Sequence, residues 1–339
     1  MRSLALRLLV PLVTAGCLVA CQAGESDRTR AGEPGRKTGQ QGAAAPTTGL
    51  MHALSQIEAT EGTRRYVAFT DLAALRALAG AEPGRSPYGG LMLGLSELVP
   101  YADRIAEPTG IDVKRAERAF QAGQPPTAVN RLTGGLDTAA VGRKLTALGY
   151  RLVPGAENAW AAGPDGALGL DGPLAKLGVN GPNGLNTVRA ASDGITYASR
   201  STSLTLAPAA DGRPVLAADP DFRAVGGCLG PVVAAQLVRA QGEPDLAAAG
   251  FRGRTAAEER EVMCVKVPGN DAAAAVSRLR SAVATGASRT GQPWADLLRE
   301  ATVENAGPGL VRLTARPGDG ARKGLLISGF VRNDLPRWR

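Results

Sequence analysis

Tyr66-Val67-Ala68-Phe69-Thr70-Asp71-Leu72 reads as a strand that turns directly into a helix. Aromatic and β-branched side chains in residues 66–69 suit a pleated surface. Asp71 is placed to cap the helix, because its carboxylate can accept backbone N–H groups that the first turn leaves free. Leu72, Leu75 and Leu78 follow at helical spacing, and Gly80 supplies the stop. The unit recurs twice. Residues 128–132 form a strand, Gly134-Gly135 turns, and Asp137 caps a helix with Val141, Leu145 and Leu148 on one face and Gly149 at its end. Residues 262–267 form a third strand, and Asp271 caps an Ala-rich helix with Val276, Leu279 and Val283 inward. Leu145 and Leu279 both stand eight residues after the capping Asp. That echo fits an internal duplication and equally fits the generic occurrence of such units.

Between these units the pattern is mostly β. Residues 158–162 read as a strand containing Trp160, and residues 232–239 as strand or helix. Segments 185–190 and 195–199 flank the turn Ser192-Asp193-Gly194, and segments 301–304 and 310–315 flank Asn305-Ala306-Gly307-Pro308-Gly309. Residues 89–106 read as helical, with Leu91, Leu95 and Leu98 aligned and a break at Pro100. A short helix starts at Pro293, and a short helix from Asp219 reaches Cys228. Hairpins stand where a doubly wound fold would need crossovers. The expected class is therefore α+β, with antiparallel or mixed sheets and helices on one face; two ferredoxin-like halves would satisfy it. The folded region is expected over residues 50–335, with two subdomains dividing near 210–220.

The first 50 residues read differently. Arg2 and Arg7 precede an apolar stretch, residues 8–20, which is short for a membrane span and has the flanks of an export signal. Leu18-Val19-Ala20-Cys21 follows. This tetrapeptide resembles the lipobox of bacterial lipoproteins: an aliphatic residue, a tolerant position, a small residue and a Cys. Cys17 is a poorer match, since Thr14 stands where an aliphatic residue is preferred. The resemblance implies cleavage after residue 20, a diacylglyceryl group and further acylation at Cys21, and residence on the outer face of the cell membrane. Residues 21–49, rich in Gly, Ala, Thr, Gln and charge, then read as a tether with an end-to-end distance on the order of 30 Å. Residues 66–72, Leu132-Thr133-Gly134-Gly135-Leu136-Asp137 and the pair Cys228/Cys264 also resemble uncharacterised lipoproteins of high-GC Gram-positive bacteria, a likeness that implies no activity.

Two cysteines remain, Cys228 and Cys264. In an exported chain such a pair reads as a disulfide; two buried thiols are the alternative. The net charge of +8 falls to +6 when Arg2 and Arg7 leave with the signal. No dense basic run with interleaved aromatics supports nucleic-acid binding. The single histidine, His52, rules out a zinc site built on several histidines and stands at the rim of the folded region. No nucleophile elbow, Ser-x-x-Lys or Cys-x-x-Cys motif occurs, and no cofactor is implied. Asp219-Pro220-Asp221 reads as an N-cap before it reads as a cation site. The expected function is a non-catalytic binding or interaction module of the envelope, taking a protein or a ligand there. A solute-binding lipoprotein of a transporter and a carboxylate-dependent extracytoplasmic hydrolase are the alternatives.

Overall fold

A computed structural model describes residues 48–338, apart from 81, 96, 168, 169, 180–182, 242, 244, 269 and 270. The segments read as a signal, as a lipobox ending in Cys21 and, over nearly all of its length, as a tether lie outside the described residues. Thr48 caps helix α1 (Gly49–Leu54) by accepting the Met51 N–H, so the cap lies two residues before the expected start of the folded region.

The first half of the described chain continues with β1 (Tyr66–Asp71), α2 (Leu72–Ala79), α3 (Ala102–Thr109), β2 (Arg118–Ala122) and β3 (Val129–Thr133). Then come α4 (Thr138–Leu148), β4 (Arg151–Leu152), β5 (Ala159–Ala161), β6 (Thr187–Ala191) and β7 (Gly194–Ala198). The second half holds α5 (Pro220–Leu229), β8 (Ala234–Val238), β9 (Leu246–Arg252), β10 (Arg260–Lys266) and α6 (Ala272–Thr285). It ends with α7 (Trp294–Leu297), β11 (Leu298–Gly307), β12 (Leu310–Pro317) and α8 (Leu325–Arg332).

Twelve strands of the described residues form one antiparallel sheet in the order β11-β12-β10-β9-β8-β1-β2-β3-β7-β6-β5-β4. Its two wings match. β1-β2-β3, α4 and the hairpin β6-β7 repeat as β8-β9-β10, α6 and the hairpin β11-β12, with the last strand returning beside the third in each. β1 and β8 pair antiparallel with Ala68 opposite Gln236, so a pseudo-twofold axis passes between them. The two helices that carry Leu145 and Leu279 thus occupy equivalent places in a repeated topology. Each half is a three-strand meander, a helix and a hairpin rather than a ferredoxin-like unit, because β1 lies antiparallel beside β2. Residues 210–220 separate the halves along the chain, yet both share the one sheet.

The caps behave as their chemistry dictates. Asp71 accepts the Ala74 N–H, Asp137 that of Ala140, and Asp219 those of Asp221 and Phe222. Asp271 stands at the N-cap of α6 but makes no side-chain capping bond. Helices cover both faces rather than one. α1 and α5 pack over Val67, Phe69, Phe120, Leu237 and Cys264, while α4, α6 and α8 cover the alternate residues of the same strands. Central strands buried on both sides need apolar residues in both phases, and β8 to β10 supply them. Leu50 and Leu54 are fully buried from α1, each worth about 2–3 kcal/mol.

Residues 89–106 depart from the continuous helix expected. Three 3-10 turns, Gly89–Leu91, Leu93–Leu95 and Val99–Tyr101, precede α3. Leu91, Leu95 and Leu98 are still fully buried. Gly94 explains the break: a Cβ there would lie 2.7 Å from the Ala119 backbone, so the chain presses flat onto β2. Cys228 and Cys264 form a disulfide that ties the end of α5 to β10.

Candidate functional site

One register row crosses the face beneath α4 and α6. Gln236 on β8 stands beside Ala68, which stands beside Gln121, then Asn130, then Tyr197, then Val188. Side chains at directly opposed positions share a face, so four polar groups line up under the helices. Gln236 is 3% exposed, Asn130 4% and Tyr197 0%. The pseudo-symmetric row in the other wing holds Ala249, Met263, Leu313 and Val303. The same backbone frame is therefore filled by apolar side chains in one wing and by amides and a phenol in the other. Burying an amide or hydroxyl without a partner costs about 1–3 kcal/mol, so packing alone does not favour the polar choice.

Glu97 is the charged member of this site. Its Oε1 accepts a hydrogen bond from Asn130 Nδ2 at 3.3 Å, and the Gly184 backbone N–H donates to the same carboxylate. Gly184 is required at that contact, since a Cβ would collide with the carboxylate. Burial raises the Glu97 pKa, and the Gly184 N–H opposes the rise. Tyr197 is pushed well above the ordinary phenol value by burial and then by the Glu97 charge. The Tyr197 hydroxyl and the Gln236 Oε1 have no hydrogen-bond partner among the described residues.

A cavity of about 260 Å³ opens onto this row, with Glu97, Gln121 and Asn130 inside and Ser199 and Arg200 toward solvent. The Pro125-Pro126 turn between β2 and β3 forms its rim, held by the Ser199 hydroxyl, which donates to the Pro126 carbonyl at 2.6 Å. Glu97 is the one carboxylate among the described lining residues. A carboxylate within, two carboxamides beside it and a guanidinium at the mouth are recognition chemistry for a polar ligand that brings hydrogen-bond donors.

On the opposite face, the two wings are pinned at equivalent positions by different means. Cys264 bonds to Cys228; its counterpart Arg131 is fully buried and reaches Asp193 at 2.5 Å and Thr196 Oγ1 at 2.7 Å. Thr196 Oγ1 and Arg189 Nη2 both donate to the Ala207 carbonyl, which fastens residues 200–207 to the sheet.

Of the residues singled out from sequence, Cys228 and Cys264 are joined and Cys21 lies outside the described residues. His52 is exposed and hydrogen-bonds Gln56. Asp219 caps α5 and pairs with Arg64, while Asp221, in the first turn of α5, pairs with Arg239. The Glu97 site was not legible as a motif. Its one signal is phase: Asn130 shares a face with Leu132, and Tyr197 with Ile195, so both are polar residues on an inward period. Among the described residues, no group of three or more His, Cys, Asp or Glu is placed to hold a metal, and no helix is long and apolar enough to cross a membrane. Comparison with protein-family models, curated proteins and solved structures finds no match.

Proposed function

We propose that this chain is an exported binding protein, held on the outer face of the cell membrane by lipid on Cys21. In this reading the Glu97 cavity takes a small polar molecule that presents hydrogen-bond donors, an amine foremost. The carrying observation is the contrast between wings: Gln121, Asn130 and Tyr197 occupy positions where the duplicate holds Ala249, Met263 and Leu313. The Cys228–Cys264 disulfide supports the exported setting. The cavity volume suits a small solute better than a protein segment, which makes delivery to a transporter the second reading.

Two experiments test this. Titrating the full chain with a panel of small primary amines should show binding that strengthens as pH rises and Glu97 loses its raised proton. Glu97→Gln should weaken it about tenfold or more, the worth of a hydrogen bond to a charged group. Failure of every amine to bind would remove that ligand class. For the anchor, Cys21→Ala should shift the protein from the membrane to the soluble fraction. Membrane retention of that variant would sink the lipid assignment.

A further inference from the structure

A second concavity, about 540 Å³, lies between the loop of residues 84–90 and the two ends of α8. Four cations line it: Arg85, Arg322, Lys323 and Arg332. Two have local counter-charges, Arg85 with Glu82 at 2.9 Å and Lys323 with Glu259 at 2.6 Å. Arg322 and Arg332 make no ion pair among the described residues, so the cavity carries a surplus of two positive charges. The nearby Glu261 does not cancel them. It is fully buried behind the cavity, and its carboxylate accepts the Gly324, Leu325 and Leu326 N–H groups.

Ser86 and Ser328 also line the cavity, but their hydroxyls donate to the Pro83 and Leu325 carbonyls, so recognition falls to Arg322 and Arg332. Guanidinium forks match the geometry of phosphate oxygens and bind them in pairs of hydrogen bonds. We infer that this cavity binds a phosphate-bearing anion, held chiefly by Arg322 and Arg332. The anion is either a free phosphate or the phosphodiester of a lipid headgroup. The site is separate from the Glu97 cavity, and its test is independent of that reading.

Isothermal titration of the detergent-solubilised full chain with inorganic phosphate and with glycerophosphoglycerol separates the sources. Arg322 is exposed and Arg332 lies on the last turn of α8, so the R322A/R332A chain should fold. The control R143A/R223A removes the same charge from exposed positions on α4 and α5. Expected is binding of at least one probe, weakened about tenfold or more in R322A/R332A and kept in the control. Binding of phosphate alone identifies the free anion as the source; binding of the diester alone identifies the headgroup. The inference fails if neither probe binds, if R322A/R332A binds like the unaltered chain, or if the control weakens equally.

Discussion

Replacing Cys228 and Cys264 together by alanine will lower the unfolding free energy by about 4 kcal/mol. The bridge closes a loop with a sequence separation of 36 residues, and loop-closure entropy gives that magnitude at 25 °C. The loop contains β8, β9 and part of β10, so the constraint acts on three adjacent strands next to the middle of the sheet. Alanine is the informative substitute, because both cysteines are buried and a serine hydroxyl at Cys264 would need a new partner. Urea unfolding of the variant against the oxidised chain measures the effect. Equal midpoints with equal slopes would show that the bridge adds nothing the packing of α5 does not already provide.

The second large effect is a pH dependence centred on Glu261. This carboxyl is fully buried on β10 and takes the place of a cap for α8. Burial pushes its pKa up to about 7, against the opposing pull of three backbone N–H groups and Lys323. The native state therefore holds a proton that the unfolded chain releases near pH 4.5. Between that pH and about 7 the native state binds more protons than the unfolded one, so stability falls as pH rises through this window. The full loss is about 3 kcal/mol at 1.36 kcal/mol per unit. Glu261→Gln removes the titration, so the stability difference between the two chains should shift by that amount between acid and neutral pH. Parallel stability curves for the two chains would contradict it. Glu261→Ala should be worse than Gln at every pH, since it leaves three helix N–H groups without their acceptor.

Sequence reading was strongest where a local rule decides the structure. Asp71, Asp137 and Asp219 cap the helices they announce, and Ser192-Asp193 turns the hairpin it predicts. Asp193 also shows what such reading misses, because the same residue pairs with the buried Arg131 of the adjacent strand β3. β9 carries no sequence signal: Leu246-Ala247-Ala248-Ala249 has no strand propensity of its own, and its place between β8 and β10 makes it a strand. β2, Arg118-Ala119-Phe120-Gln121-Ala122, is equally short of strand formers, so its sequence does not place Gln121 on a face. Residues 89–106 carried a valid leucine spacing, but the close approach of Gly94 to β2 outweighed it. α8 lies within the expected folded region, but its helical face, with Leu326 and Ile327 buried, is not among the elements read from the sequence. The Glu97 site needed three-dimensional pairing, since its members come from residues 97, 121, 130 and 197 and share no motif.

Native mass spectrometry of the full chain, released from the membranes of its own cells, tests the binding reading most directly. Unaltered protein should carry a small-molecule adduct that the Glu97→Ala chain lacks, with the lipid mass on Cys21 present in both. No adduct on the unaltered protein, or the same adduct on both chains, would contradict a binding function seated at Glu97.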